Sequence, residues 1–247
     1  MKLESQDVEE LIETSNRQIR EETTAFHRYL MDEVDWRDKL ICIKGPKGVG
    51  KSTLIMQHIR DTFRNIDDAL FLSLDNLWFT NHSLYDVATF YYSHGGRYLF
   101  LDEVHHYKPW QLTLKNIYDD CPDMHVVFSG SSLLRLESGI ADLSRRVVEY
   151  PLHGLSFREF LEFEGVISIP AITLEDLLQH HVEIAMTITQ QNKDILVHFS
   201  HYLEYGYYPF YKEIKRGYQQ RLQRIVNHVL DVDFPIVEEV EIETIRK

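Results

Sequence analysis

The sequence predicts an α/β fold in which a parallel sheet is covered by helices on both faces and followed by a smaller all-helical region. Three observations carry this expectation. Short apolar runs alternate with segments of helical spacing between residues 39 and 129. A glycine-rich turn joins the first of those runs to the helix after it. Beyond Tyr150 the strand-like runs stop and helix-start signals take over.

The elements follow in order. From Leu3 to about Val34, the residues Val8, Leu11, Ile12, Ile19, Phe26, Tyr29, Leu30 and Val34 recur mostly at steps of three, four and seven, which predicts an N-terminal helical segment in one or two pieces. Lys39 to Lys44 (KLICIK) is a short apolar run ending at a glycine and reads as a buried strand, and Ser52 to Phe63 has helical spacing without a breaker. Ala69 to Leu74, Arg97 to Leu101 and His125 to Ser129 are three further strands, separated by helices over Leu84 to Tyr92 and Gln111 to Tyr118. In the helical region, Ser156 with Glu159 matches a capping box ahead of Phe160, Leu161 and Phe163, and Thr173 stands at the head of another helix. The expected organisation is a helical segment over 1–36, a core over 37–152 and a helical lid over 153–247.

Composition narrows the function classes. Of 247 residues, 44% are hydrophobic and 26% charged, so the chain can bury a core and is neither disordered nor collagen-like. The net charge is −13, with 17 basic against 24 acidic residues up to position 150 and 9 against 15 after it. Neither half is a basic arm, which disfavours nucleic acid and anionic membrane as electrostatic partners. Two cysteines, Cys42 and Cys121, cannot build a disulfide framework, and this suits a reducing, cytoplasmic setting. The first residues lack a signal-peptide apolar core, and no apolar run approaches the ~18 residues of a membrane span.

The chemistry concentrates in two places. Gly45-Pro46-Lys47-Gly48-Val49-Gly50-Lys51-Ser52 fits G-x-x-x-x-G-K-[ST] between a predicted strand and a predicted helix, the context such a phosphate loop requires. Its glycines let backbone N–H groups turn toward a phosphate, Lys51 reaches the β- and γ-phosphates, and the Ser52 hydroxyl ligates Mg²⁺. Tyr98 to Glu103 is an apolar strand that delivers two carboxylates at its C-terminal end, where ligands of open α/β sheets bind. Asp102 is thereby expected beside Ser52 as the Mg²⁺ partner, and Glu103 as the group that polarises a water for attack on the γ-phosphate. After His125 to Ser129 the sequence offers Ser131 first, and Ser129 second, as a hydroxyl for the γ-phosphate or the attacking water; serines there also suit a helix cap. Arg145 and Arg146 stand at the junction with the helical region. A guanidinium there can stabilise γ-phosphoryl charge in its own chain or in a neighbour, and it equally suits surface pairing with Asp142 and Glu149.

Together with the phosphate loop, Leu99 to Val104 (LFLDEV), Trp110 to Asp119 (WQLTLKNIYD), Phe128 to Ser132 (FSGSS) and His153 to Leu161 (HGLSFREFL) make the chain resemble, from about Ile19 onward, a family of prokaryotic AAA-type P-loop ATPases. The resemblance implies an AAA-like core of the additional-strand, catalytic-glutamate class with a helical lid, ATP and Mg²⁺ as cofactors, and ADP and phosphate as products. It implies that Gly45 through Ser52, with Thr53, bind nucleotide, that Asp102 and Glu103 form the Walker B pair, that Ser131 is the sensor, and that Arg146 is the matching arginine. It admits a homo-oligomer and a protein partner, and it admits a slow nucleotide-gated switch or scaffold as the alternative to a working ATPase. Lys47-Gly48 stands where family members commonly carry two arginines, and the lid's Gly-Gly-x-Pro-Glu element survives only as Gly206-Tyr207-Tyr208-Pro209-Phe210. The family's C-terminal domain, with winged-helix and nuclease-like parts, is expected to lie beyond this polypeptide.

Other signals read as structure. His105-His106, His180-His181 and His198/His201 find no cysteine or carboxylate cluster to complete a zinc set, Cys42 reads as a buried thiol, and Trp110 and the Tyr202–Tyr211 aromatics read as packing groups.

Overall fold

In a computed structural model of the chain, the described residues are 5–22, 25–130, 143, 145–214 and 216–233. They form two compact units, one comprising the residues up to His153 together with those from Gln219 onward, the other Gly154–Tyr218.

The first unit is built as α1 (Ser5–Glu21), α2 (Leu30–Glu33), β1 (Leu40–Lys44), α3 (Lys51–Thr62), β2 (Ala69–Ser73), α4 (Leu84–Ser93), β3 (Tyr98–Asp102), α5 (Trp110–Asp120), β4 (His125–Gly130) and β5 (Val148–Pro151). All five strands are parallel, in the order β2-β3-β4-β1-β5. β4 therefore stands between the strand that feeds the phosphate loop and the strand that carries Asp102, which is the additional strand expected from the resemblance. Period-two alternation divides the strand residues between the faces. Leu40, Cys42, Leu70, Leu72, Leu99, Leu101, Val126 and Phe128 join Val87, Tyr91, Trp110, Leu114 and Ile117 of α4 and α5 in one cluster. The opposite side presents Ile41, Ile43, Phe71, Phe100 and Val127, all buried, with α1 packed on β2 and α3.

Sequence spacing places four strands correctly and misses β5. Of its four residues, Val-Glu-Tyr-Pro, all but Tyr150 are exposed at the sheet edge, so no apolar run marks them. The pairing is explicit in the structure, where Ile41 to Lys44 register with Val148 to Pro151 and Lys44 meets Glu149 at 2.7 Å. The N-terminal segment is in two pieces, α1 and α2.

The second unit holds α6 (Phe157–Phe163), α7 (Leu174–Gln191) and α8 (Ile195–Tyr205). Ser156 and Glu159 form the expected capping box, and Thr173 caps α7 by accepting from the Asp176 N–H. Rings of Phe157, Phe160, Tyr202, Tyr205 and Tyr211 pack around one another at centroid distances of 5.1 to 6.4 Å. The aromatic run is thus a packing core, as its lack of interleaved basic residues suggests. Helix α9 (Tyr218–His228) follows.

Candidate active site

The phosphate loop leaves β1 at Lys44 and enters α3 at Lys51. Gly45 is required for space, because a Cβ there would lie 2.2 Å from the Leu152 carbonyl oxygen. Gly48 and Gly50 are required for conformation, with φ of 89° and 95° in the left-handed region. No side chain caps the N-terminus of α3, so its first-turn N–H groups face the loop's concavity, with the positive end of the helix behind them.

Lys51 is buried and folds over the loop, donating from Nζ to the carbonyls of Gly45 at 3.0 Å and Pro46 at 3.2 Å. Burial pushes its ammonium below the usual lysine range, while Glu103 and Asp102 pull it back up. The Ser52 hydroxyl donates to Asp102 Oδ2 at 2.6 Å. Asp102 is itself buried, which raises its carboxyl; bonds from the Ser129 and Ser52 hydroxyls oppose the rise. These oxygens, a hydroxyl and a carboxylate held together, are the hard donor set that suits Mg²⁺. Beside them lies a cavity of about 320 Å³ lined by Gln18, Glu22, Ser52, Ser73 and Asp102 among others.

Glu103 follows at the strand's end with φ 53° and ψ 46°, a left-handed conformation rare for a side-chain-bearing residue. Its carboxylate lies 4.0 Å from Lys51 Nζ and 3.3 Å from His105 Nδ1. Ser129 binds both members of the pair, donating to Asp102 Oδ1 and accepting the Glu103 N–H at 3.3 Å. Ser129, the second of the two candidate hydroxyls, thus meets the Asp102 carboxylate and the Glu103 backbone, while Ser131 lies outside the described residues, as do Ser132 and Asp142. Thr53 turns its hydroxyl to Glu22 at 3.3 Å, and Lys47 is exposed.

Arg146 is not brought to the loop of its own chain. β5 runs parallel to β1 with Val148 beside Ile41, so the residues just before β5 lie at the sheet's opposite end, more than ~13 Å of strand from the loop. There Arg146 pairs with Asp119 at 3.3 Å and lies over Tyr118, while Glu149 pairs with Lys44. Of the two placements the sequence leaves open, the parallel register of β5 does not set Arg146 beside the loop of its own chain. Sequence reasoning also passes over Arg28. Its guanidinium is buried and donates to the Val49 carbonyl at 2.7 Å and the His153 carbonyl at 2.8 Å, tying the loop to the segment after β5. Backbone acceptors leave no trace in a sequence, so nothing there marks it.

The family profile described as AAA domain matches residues 37–161, half of the chain. The chain belongs to the AAA domain family. It is a member of the prokaryotic AAA-type P-loop ATPase family and has that family's α/β P-loop fold. An uncharacterized protein of Methanocaldococcus jannaschii is 27% identical over 223 residues, covering 85% of this chain and 47% of that protein. The chain thus spans about half the length of the curated relative it matches. Among solved structures, the Walker-type ATPase of Pyrococcus abyssi is similar at 16% identity and a TM-score of 0.43, covering 83% of this chain and 78% of that one. The S. cerevisiae Hsp104:casein complex is similar at 16% identity and a TM-score of 0.38, covering 60% and 28%. No helix of the AAA domain protein is, among its described residues, long and apolar enough to cross a membrane.

Proposed function

We propose that this AAA domain protein is a cytoplasmic, Mg²⁺-dependent ATPase that converts ATP to ADP and phosphate and couples the reaction to movement of a helical lid formed by the 154–218 unit. The observation that carries the reading is the 2.6 Å bond from Ser52 to Asp102, which joins the phosphate loop to the Walker B strand. Residues 45–53 cradle the phosphates, and Lys51 compensates β- and γ-phosphate charge. Ser52 and Asp102 hold the metal, whose chemistry when bound is to neutralise phosphate charge. Glu103 orients and polarises the attacking water, with Ser129 fixing its backbone, and Ser131 serves as the sensor. Leu174, Leu178, Leu196 and Leu203 are largely exposed on the lid helices, which favours a protein partner over nucleic acid.

The place of Arg146 favours a second reading. Because it faces away from its own chain's loop, an isolated chain is a slow nucleotide-gated switch, and a homo-oligomer in which a neighbour presents the arginine is the active ATPase. One experiment tests the main reading. Steady-state phosphate release should fall roughly 10²–10⁴-fold in Glu103→Gln with ATP affinity retained, while Lys51→Ala should lose at least tenfold in affinity, about 1.4 kcal/mol. Equal turnover in wild type and Glu103→Gln would refute the assignment of the water.

A further inference from the structure

The turn after β3 brings together a group that the sequence leaves apart. Glu103 enters its left-handed conformation and the chain closes a single 3₁₀ turn over Val104–His106, with the His106 N–H donating to the Glu103 carbonyl at 3.0 Å. The bend brings Glu103, the buried His105 and the exposed His106 to one place. The His105 and His106 rings are 4.3 Å apart, Glu103 Oε2 is 3.3 Å from His105 Nδ1, and one donor atom from each of the three residues lies within 4.8 Å of the others.

Zinc bonds of ~2.0–2.1 Å in tetrahedral geometry set donor atoms roughly 3.3 Å apart. The Glu103–His105 pair already has that spacing, and a ligand atom of exposed His106 lies within 4.8 Å of both. Two imidazoles and one carboxylate are the three-ligand set of zinc sites that keep a fourth position open. They also differ in kind from the all-oxygen pair of Ser52 and Asp102: imidazole favours Zn²⁺, and the oxygens favour Mg²⁺. With Mg²⁺ in millimolar and Zn²⁺ in micromolar supply, magnesium would fill the oxygen site while zinc is drawn to the imidazoles.

We propose that Glu103, His105 and His106 form a zinc site and that Zn²⁺ bound there withdraws the Glu103 carboxylate from ATP hydrolysis, making zinc an inhibitor. The inhibitory half rests on the role proposed for Glu103, whereas the site itself does not. The test uses the full chain and begins without nucleotide. Zn²⁺ is titrated against a chromophoric chelator, and Co²⁺ is used as a spectroscopic stand-in, on wild type, His106→Ala and His105→Gln. Since the chain has 13 histidines, only the difference between proteins counts. A class of binding in wild type that weakens at least tenfold in both variants, with loss of the intense visible absorption of tetrahedral Co²⁺, supports the site. Equal affinity and equal spectra in wild type and His106→Ala overturn it, and because His106 is exposed that variant carries little folding risk. Phosphate release at millimolar Mg²⁺ is then measured with micromolar Zn²⁺, each protein against its own zinc-free rate. Inhibition of wild type that a zinc-selective chelator reverses, and that His106→Ala escapes, supports the second half. Site-specific binding without inhibition overturns that half alone. A wild type that binds zinc but has no turnover even without it refutes the ATPase reading and leaves the site standing.

Discussion

Arg28→Ala is the most direct probe of how the phosphate loop is held. The substitution removes two short, charge-assisted bonds, to the Val49 carbonyl at 2.7 Å and to the His153 carbonyl at 2.8 Å, from a residue only 7% exposed. Bonds to a charged donor contribute about 1.5–3 kcal/mol each, so the pair sums to about 3–6 kcal/mol. Water entering the space left by the guanidinium recovers part of this, leaving a loss of about 3 kcal/mol. At ~2–4 °C per kcal/mol for a chain of this size, the melting temperature should fall by roughly 6–12 °C. The second consequence is local. Val49 belongs to the loop, so releasing its carbonyl should weaken ADP binding at least tenfold in calorimetry, about 1.4 kcal/mol. Arg28→Lys keeps the charge but replaces a two-armed fork with a single point donor, and should recover only part of both losses. A melting temperature within ~2 °C of wild type with unchanged ADP affinity would refute the argument altogether. A destabilised variant that binds ADP normally would show that Arg28 supports the fold without shaping the loop.

Three further outcomes are expected. Ser129→Ala removes the hydroxyl shared by Asp102 and the Glu103 N–H, so it should lower turnover and raise the Mg²⁺ concentration needed for half-maximal rate; unchanged magnesium dependence would refute its positioning role. His58, buried against Trp36 with ring centroids 3.7 Å apart, has its pKa lowered by burial to about 4, with Asp61 opposing. The folded protein therefore resists protonating it while the unfolded chain accepts a proton near ~6.5, so its contribution is whole above that pH and is lost as pH falls toward 4, by up to about 3 kcal/mol. Urea unfolding at pH 7 and pH 4.5 should show this loss reduced in His58→Phe, and equal acid sensitivity would refute it. Arg146→Ala should lose turnover but keep ADP affinity, and mixing it with Lys51→Ala should restore partial activity if the arginine serves a neighbour; no complementation would refute that placement.

What the sequence makes legible depends on how the chemistry is distributed along the chain. The phosphate loop is contiguous, since one turn must supply the glycines, the lysine and the serine, and so Gly45 to Ser52 can be read directly. Asp102 and Glu103 are legible because a buried strand ends on them. Arg28 is not, since its two acceptors are carbonyls 21 and 125 residues away. Arg146 is legible as a residue but not as a position. Its place follows from β5, whose exposed edge residues give no apolar signal, and once β5 is parallel to β1 the residue before it must lie at the end away from the loop. The association of Glu103 with His105 and His106 depends on one backbone conformation, φ 53° at Glu103, which spacing does not encode.

The electrostatics of the site argue for a ligand that carries both signs of charge. Burial drives Lys51 and Asp102 in opposite directions, toward the neutral amine and the neutral acid, and each partly restores the charge of the other. Neither compensation is complete, because burial outweighs it at both groups, and Glu103, which supports the lysine's charge, works against that of Asp102. A phosphate alone would favour the ammonium and repel the carboxylate, and a cation alone would do the reverse. A magnesium nucleotide does both at once, setting anionic oxygens against Lys51 and a cation against Asp102. The two buried charges are therefore stabilised by the same ligand, and its affinity should depend on both residues non-additively, since removing either leaves the other facing an unbalanced charge.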